Sequence, residues 1–330
     1  MWMKLRGGSF EDSVRDLAGI AGMGPMPNSW KPAKVRPVAE PVGEEPVKRV
    51  ALPRMRRLSA GTCEELAALR GVGARAVWEA SEAGLVGGAV MGMTRWGTLT
   101  WGGQMDSLAE TGSLRVMPER CWLVGDDMGY VAQARRLSGE AWPVLRQPKG
   151  VKALTMGTAK WPIGAGGGGK WENGKMGKWE NGKMGKWGNG KMGKWGKGRR
   201  KVALVEGGPD LLAAFEFLVR EGRVGEVDVV AMLGASVRMR AEALGFFAHA
   251  RVRIFAHYDK EDAKNGRRAG WEAAARWEAQ LTEAGAEVDV WDFEGMRRMK
   301  DEEPVQVGDL NDAAMGDAVC AEEMRGAMSF

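Results

Sequence analysis

In the second half of the chain the hydrophobic pattern switches repeatedly between two periods. Short apolar runs at 201–206 (KVALVE), 227–233 (VDVVAML), 251–257 (RVRIFAH) and 286–293 (AEVDVWDF) have the length and composition of strands buried on both faces. Between them, 209–222 (PDLLAAFEFLVREG), 238–248 (RMRAEALGFFA) and 267–285 (RRAGWEAAARWEAQLTEAG) repeat their apolar residues at helical spacing. Pro209 sits where a first helical turn tolerates it. Strands separated by helices of this length imply right-handed crossovers, hence an α/β fold with a doubly wound, four-stranded parallel sheet and helices on both faces.

The first half reads differently. From Ser59 the pattern is helical, with Thr62 as N-cap before CEELAALRGV, Glu65 at the capping-box position, and GARAVWEASEAGLV as a second helix. The GVG between them fits an ordinary helical hairpin, and also a helix-hairpin-helix turn that would contact a DNA backbone. The runs CWLVGD and YVAQARRL, joined across Asp126, Asp127, Met128 and Gly129, predict a β-hairpin. Five segments follow: an extended N-terminal segment and connector (1–58), a small α+β domain (59–163), a linker (164–200), the α/β domain (201–312) and a C-terminal tail or helix (313–330).

The linker is an eight-residue repeat, KWENGKMG from Lys170 and from Lys178 and KWGNGKMG from Lys186, marked by Trp171, Trp179, Trp187 and Trp195. Glycine recurs throughout and no apolar face offsets the entropy of ordering it, so it reads as flexible. Its interleaved Trp and Lys could stack on bases and track phosphates, or it could be a low-complexity tract tolerated in a surface loop. From Lys170 to Lys201 eleven Lys or Arg face Glu172 and Glu180, a local net of +9; subtracted from the whole-chain +5, this leaves −4 elsewhere. Basicity therefore belongs to one insert and says little about what the folded parts bind. Cys63, Cys121 and Cys320 stand singly, which excludes a disulfide framework and a zinc site of the CxxC kind. The start lacks the apolar run of a signal peptide and no stretch reaches the roughly 20 apolar residues of a membrane helix, so a cytoplasmic protein without a membrane partner is expected.

Polar residues gather where the predicted strands end. Glu206 closes the first within EGGPD, Asp259 follows the third in HYDKED, and Asp309 and Asp312 follow the fourth in GDLND. Ligands of doubly wound sheets bind beyond the carboxyl ends of the strands where strand order reverses, and an order 2-1-3-4 would make the first and third strands neighbours there. Carboxylates converging at one point need a cation to offset their repulsion, and Mg²⁺ suits hard oxygen ligands and phosphate. Singly, each residue has an ordinary role open to it: Glu206 as a capping group, Asp210 as a complement to the helix dipole, DLND as an N-cap.

Taken in order, EGGPD resembles the Glu-Gly-x-x-Asp motif of Toprim domains, HYD resembles their Asp-x-Asp motif, and GDLND resembles the acidic triplet of primases. The likeness runs over most of 201–312 and is to the catalytic part of bacterial and phage DNA primases; WLVGDDMGYVAQARRL and KWPIG also resemble what precedes Toprim in that group. It implies nucleotidyl transfer dependent on Mg²⁺ (or Mn²⁺): RNA primer synthesis on single-stranded DNA, with nucleotides as substrates and a replicative helicase as partner. By the resemblance Glu206 is the general acid or base and a metal ligand, and Asp259, Asp309 and Asp312 hold metal. Asp210 hydrogen-bonds or reaches metal through water, while Gly207 and Gly208 let the backbone pass close to the site at a helix N-terminus, where phosphate is favoured.

The sequence departs from the pattern in three places. His257 stands where Asp-x-Asp has its first aspartate; as a poorer Mg²⁺ ligand it leaves Glu261 or Asp262 as substitutes. The stretch EDAKNGRR separates Asp259 and Lys260 from Ala269 and Gly270, as a short insertion beside the site would. The chain lacks the cysteines of the N-terminal zinc ribbon of complete primases, and its opening KLRGGSFEDSVRDLAGIAG resembles the segment after that ribbon, so Met1 reads as a late start or the chain as a shortened relative. Two alternatives therefore accompany primer synthesis: a Toprim nuclease that cleaves phosphodiesters, and a non-catalytic nucleic-acid-binding remnant of a primase.

Overall fold

The computed structural model describes residues 47–144, 147–166, 199–259, 261, 266–316 and 318–330. The first 46 residues, the whole of the repeat that begins at Lys170, Lys260 and Asp262 lie outside them.

The first half begins with a helical hairpin, α1 (Ala60–Arg70) and α2 (Ala74–Glu82). Helix α1 starts a turn earlier than expected. Ser59, in an extended conformation, is its N-cap and accepts from the Thr62 N–H at 3.3 Å, while Glu65 pairs with Arg120. Serine caps as well as threonine, and the Ala-Gly-Thr that follows it can be helical, so the earlier cap wins. Gly71 closes α1 in the left-handed conformation. The amide of Gly73 is spent inside the molecule, donating to Glu216 at 2.7 Å, so the GVG turn serves internal packing.

A five-stranded antiparallel sheet follows, in the order β2-β1-β3-β4-β7, from β1 (Val86–Thr94), β2 (Leu99–Trp101), β3 (Leu114–Gly125), β4 (Val131–Arg136) and β7 (Leu154–Gly157). Helix α3 (Gly103–Glu110) crosses between β2 and β3, and a small ribbon of β5 (Trp142–Val144) and β6 (Gln147–Val151) precedes β7. The β3–β4 hairpin is the one predicted across Asp126 to Gly129. One face of this sheet packs Met91, Met93, Cys121, Leu123 and Trp142; the other presents Val86, Trp122, Val124 and Val131 to the helices.

The second half is a parallel sheet of β8 (Lys201–Val205), β9 (Asp228–Ala231), β10 (Arg251–Phe255) and β11 (Glu287–Trp291), in the order β11-β10-β8-β9. In strand sequence that is 2-1-3-4, all parallel. Val202 and Leu204 point to one core, Ala203 and Val205 to the other, which is why β8 reads as an unbroken apolar run. Helix α4 (Gly208–Arg220) covers the face that also meets α2. The opposite face is covered by α6 (Ala269–Glu283) and by a shorter piece than the pattern predicts: α5 (Ala241–Leu244) with a 3₁₀ turn at Gly245–Phe247. Glycine at 245 removes the helix preference that would extend α5. After β11 come a hairpin, β12 (Arg297–Lys300) and β13 (Glu303–Gln306), and the short helices α7 (Leu310–Ala314) and α8 (Ala318–Glu323). The molecule is thus a mixed α/β protein with one parallel and one antiparallel main sheet. Among the described residues no helix is long and apolar enough to cross a membrane.

The two sheets are stitched by backbone. Ile163 exchanges two hydrogen bonds with Ala231 of β9, at 2.9 and 3.0 Å. Gly164 beside it has φ +84 and donates to Asp126 in the β3–β4 turn at 2.9 Å. A Cβ at 164 would come within 2.7 Å of the Val229 carbonyl, so glycine is required twice over.

Close approach also fixes the start of α6. A Cβ on Gly270 would collide with the His257 carbonyl oxygen and stand 2.6 Å from the His257 Cβ. Gly270→Ala is therefore expected to destabilise the protein by about 1–3 kcal/mol. Gly245→Ala, where nothing lies within 4 Å and φ is −58, should instead stabilise it by about 0.4–1 kcal/mol. Urea unfolding midpoints at matched m-values would check both.

Candidate metal centre

The site is built from three stretches of chain that the sheet order brings to one end. Glu206 follows β8, Asp210 lies in the first turn of α4, His257 follows β10, and Asp309 is the N-cap of α7. The Asp210 carboxylate, only 5% exposed, accepts from His257 Nε2 at 3.0 Å through one oxygen and from the Asn311 N–H at 3.2 Å through the other, taking the ring in its Nε2–H form. The other ring nitrogen, Nδ1, is 3.4 Å from Glu206 Oε2. One donor atom each from Asp210, His257 and Asp309 lie within 4.8 Å of one another.

Electrostatics follow from this crowding. Burial would push the His257 imidazole down, but its hydrogen bond to Asp210 and the charges of Asp210, Glu206 and Asp309 carry it up to about 10. Burial and the neighbouring Asp210 charge raise Asp309 to about 7, against the Asp312 N–H that it accepts at 2.6 Å. Burial also raises Glu206, helped by the charges of Asp210 and Asp259 and opposed by His257. An imidazolium is thus the counter-ion of these carboxylates. Such a cluster can hold a proton at His257 or gather round a cation. An ion bonded at about 2.1 Å in an octahedral shell holds its ligand atoms about 3.0 Å apart when adjacent and about 4.2 Å when opposed, so the three groups would have to draw together to hold one.

The remaining predicted residues sit differently. Asp259 interacts with Glu206 by charge, while one oxygen accepts from the Gly270 N–H at 2.8 Å, tying it to the start of α6. Asp312 accepts from Arg298 at 2.9 Å and from the Gly308 N–H at 3.2 Å. Glu261 lies out toward Arg268, at 3.2 Å, away from the cluster. Gly207 is the extended N-cap of α4, a conformation open to any residue. Gly208 is needed for a different reason than the expected one: a Cβ there would be 2.7 Å from Val124 Cγ2 and 3.3 Å from the Trp122 ring, so its room is taken by β3. Two basic residues that no motif indicated also belong to this surrounding. Arg298 comes from the unpredicted β12–β13 hairpin. Arg135, on β4, is pushed down to about 10 by burial and by Arg70, while Asp210 pulls it the other way.

No described protein family and no curated protein matches this sequence. Among solved structures, the chain is similar to the primase fragment of the bacteriophage T7 primase-helicase protein, with a TM-score of 0.31 and 14% identity over 68% of each chain. A likeness of that size carries neither fold nor function across.

The raised His257 has a consequence for stability. Its folded value lies above the ordinary 6.5, so its contribution is complete below about pH 6.5 and is lost as pH rises toward 10. In EDTA, the unfolding free energy of the parent should fall across that window, and His257→Gln should lose that part of the slope. Asp210→Asn should bring the imidazole titration, followed by NMR, down from about 10 toward its ordinary value.

Proposed function

We propose that this chain is a primase-type Toprim nucleotidyltransferase that uses Mg²⁺ or Mn²⁺ to extend ribonucleotide primers on single-stranded DNA. The observation that carries the reading is the meeting of Asp210, His257 and Asp309 from three motifs that resemble Toprim in the right order, with Glu206 against the same imidazole. Parallel strands in the order 2-1-3-4 make the first and third strands neighbours and give those motifs a common end.

In this reading Asp210, Asp309 and His257 hold the ion, with Asp259 and Asp312 within the same acidic surrounding. An imidazole among the donors shifts preference from Mg²⁺ toward Mn²⁺, since nitrogen is the softer ligand. The ion supplies charge neutralisation for a triphosphate and orients an attacking hydroxyl. Glu206 takes the proton of a primer 3′-hydroxyl: burial makes it a stronger base than an ordinary carboxylate. One feature favours a second reading, a non-catalytic nucleic-acid-binding protein: His257 between Asp210 and Glu206 occupies the donor set with its own positive charge.

Incubation with single-stranded DNA, labelled nucleoside triphosphates and Mg²⁺ or Mn²⁺ separates these. Primer synthesis predicts oligoribonucleotides that fall by roughly hundredfold or more in Glu206→Gln, the loss expected for a general base. Shortened DNA instead identifies a nuclease, and retained DNA binding with neither product identifies the non-catalytic protein.

A further inference from the structure

The outer edge of β1 is covered from two directions that do not meet. The segment 53–58 touches it where Arg56 and Gly88 exchange backbone hydrogen bonds at 2.8 and 2.7 Å, while β2 pairs with it only from Met91 onward. Glycine admits the first contact, since a Cβ on Gly87 would stand 2.8 Å from the Met55 Cβ. Between the two coverings lies Val90, 49% exposed, and there a cavity of about 620 Å³ opens. Pro53, Leu58, Met105 and Leu137 are buried parts of its lining, and Trp101 stands half-buried on the β2 side. None of its lining residues belongs to the acidic cluster.

Four arginines surround this apolar floor, Arg54, Arg56, Arg57 and Arg120, against one carboxylate on the lining, Asp106. Outside the segment from Lys170 to Lys201 the chain is net −4, so this is a local concentration of positive charge. Arg57 pairs with Glu82 and lies over the Trp78 ring at 4.4 Å, and Arg120 pairs with Glu65 at 2.8 Å. Both pairs are exposed to water, where such pairs are weak and open to exchange. Arg54 and Arg56 are exposed and their side chains meet no carboxylate among the described residues. Solvated arginines need no partner for stability. What selects a ligand here is their position around an apolar cavity of the size that encloses side chains or small molecules.

We propose that this groove docks a short acidic segment of a partner protein that carries a large apolar side chain between its carboxylates. The apolar side chain fills the cavity beside Val90 and Leu58. The flanking carboxylates reach Arg54 and Arg56, and compete with Glu65 and Glu82 for Arg120 and Arg57. The two ion pairs already in place are the same chemistry, guanidinium to carboxylate, supplied from within the chain. A nucleic-acid strand suits the groove less well, because phosphates need a continuous track of cations and would meet the apolar floor and Asp106 instead. The proposal is independent of what the acidic cluster binds.

Fluorescence anisotropy tests it, with the full chain in EDTA at low ionic strength and a labelled peptide that has Leu-Phe at its centre and acidic residues on either side. The parent should bind saturably, and a peptide with Ser-Ser in place of Leu-Phe should bind at least severalfold more weakly. Arg54→Glu and Arg56→Glu should each weaken binding roughly tenfold or more, the size of a lost charge pair turned repulsive. Both positions are exposed, so these variants should melt with the parent. Val90→Ser should cost severalfold in affinity, and Arg325→Glu, an exposed change outside the groove, should bind as the parent does. The proposal is overturned if the parent shows no saturable binding, if the Ser-Ser peptide binds as tightly, or if both glutamate variants keep the parent's affinity. It is equally overturned if those variants weaken oligothymidylate and leave the peptide unchanged, since the groove would then serve nucleic acid. A parent that sediments as a dimer and becomes monomeric in Arg54→Glu would give the groove to a second copy and overturn it as well.

Discussion

A buried carboxylate that must stay paired governs how this molecule is put together. Asp210 sits in the first turn of α4 almost without solvent, and its two oxygens are answered by different parts of the chain: His257 beyond β10 and the Asn311 amide in α7. An ionised carboxylate left alone at such a depth would be strongly destabilising. The pairing therefore obliges the ends of β8 and β10 and the segment after the β12–β13 hairpin to arrive at one place. The parallel sheet makes this arrangement available, because β8 and β10 are adjacent and point the same way.

The same constraint reaches the first half of the chain. Helix α4 can hold Asp210 in position only if its outer side is packed, and that side rests on Trp122 and Val124 of β3 and on the α1–α2 hairpin. Glu216, two turns further along α4, accepts from the Gly73 amide at 2.7 Å and from Arg220 at 2.8 Å, so the hairpin turn is fastened to the same helix. On the far edge, Ile163 pairs with β9 and Asp126 holds Gly164. The antiparallel sheet is thereby fixed against both α4 and β9. Residues distant in sequence, Arg70 and Arg135, are carried to the acidic end as a result.

The parts of this arrangement that were legible in the sequence are those in which one physical signal acts alone. β8 is buried almost throughout and reads as an unbroken apolar run, while β9, β10 and β11 carry charged positions such as Asp228, Arg253 and Asp289 but keep enough valine, isoleucine and aromatic residues at strand length to be placed. The β12–β13 hairpin escaped because its two-residue turn uses Asp301 and Glu302 at φ 51 and 68, positions where Asn-Gly or Asp-Gly is the recognisable signature. With it went Arg298, whose bond to Asp312 turns one expected metal ligand toward an arginine. Arg70 and Arg135 were hidden for another reason. An arginine at the end of a helix or near the end of a strand reads as solvent-facing, and it is contact with the Trp122 ring that half-buries both. Asp259 was correctly placed at a strand end, yet its bond to Gly270 depends on a helix start that the intervening EDAKNGRR obscured.

Charge distribution ties these observations to function. Outside the segment from Lys170 to Lys201 the chain carries a net −4, and the acidic cluster deepens that at the very end of the sheet where a ligand would enter. A phosphate-bearing substrate would be repelled from such a place unless cations stood beside it. His257 is one, held by Asp210 and Glu206; a bound ion would be another. Both are internal to the carboxylate cluster and are largely spent on neutralising it. Arg70 and Arg135 differ in that, among the described residues, no carboxylate hydrogen-bonds to them, although the Asp210 charge reaches Arg135. Arg135 feels the Asp210 charge, and Trp122 of the same antiparallel sheet abuts the start of the helix that carries Asp210, so the contact between the two sheets joins their charges as well as their cores.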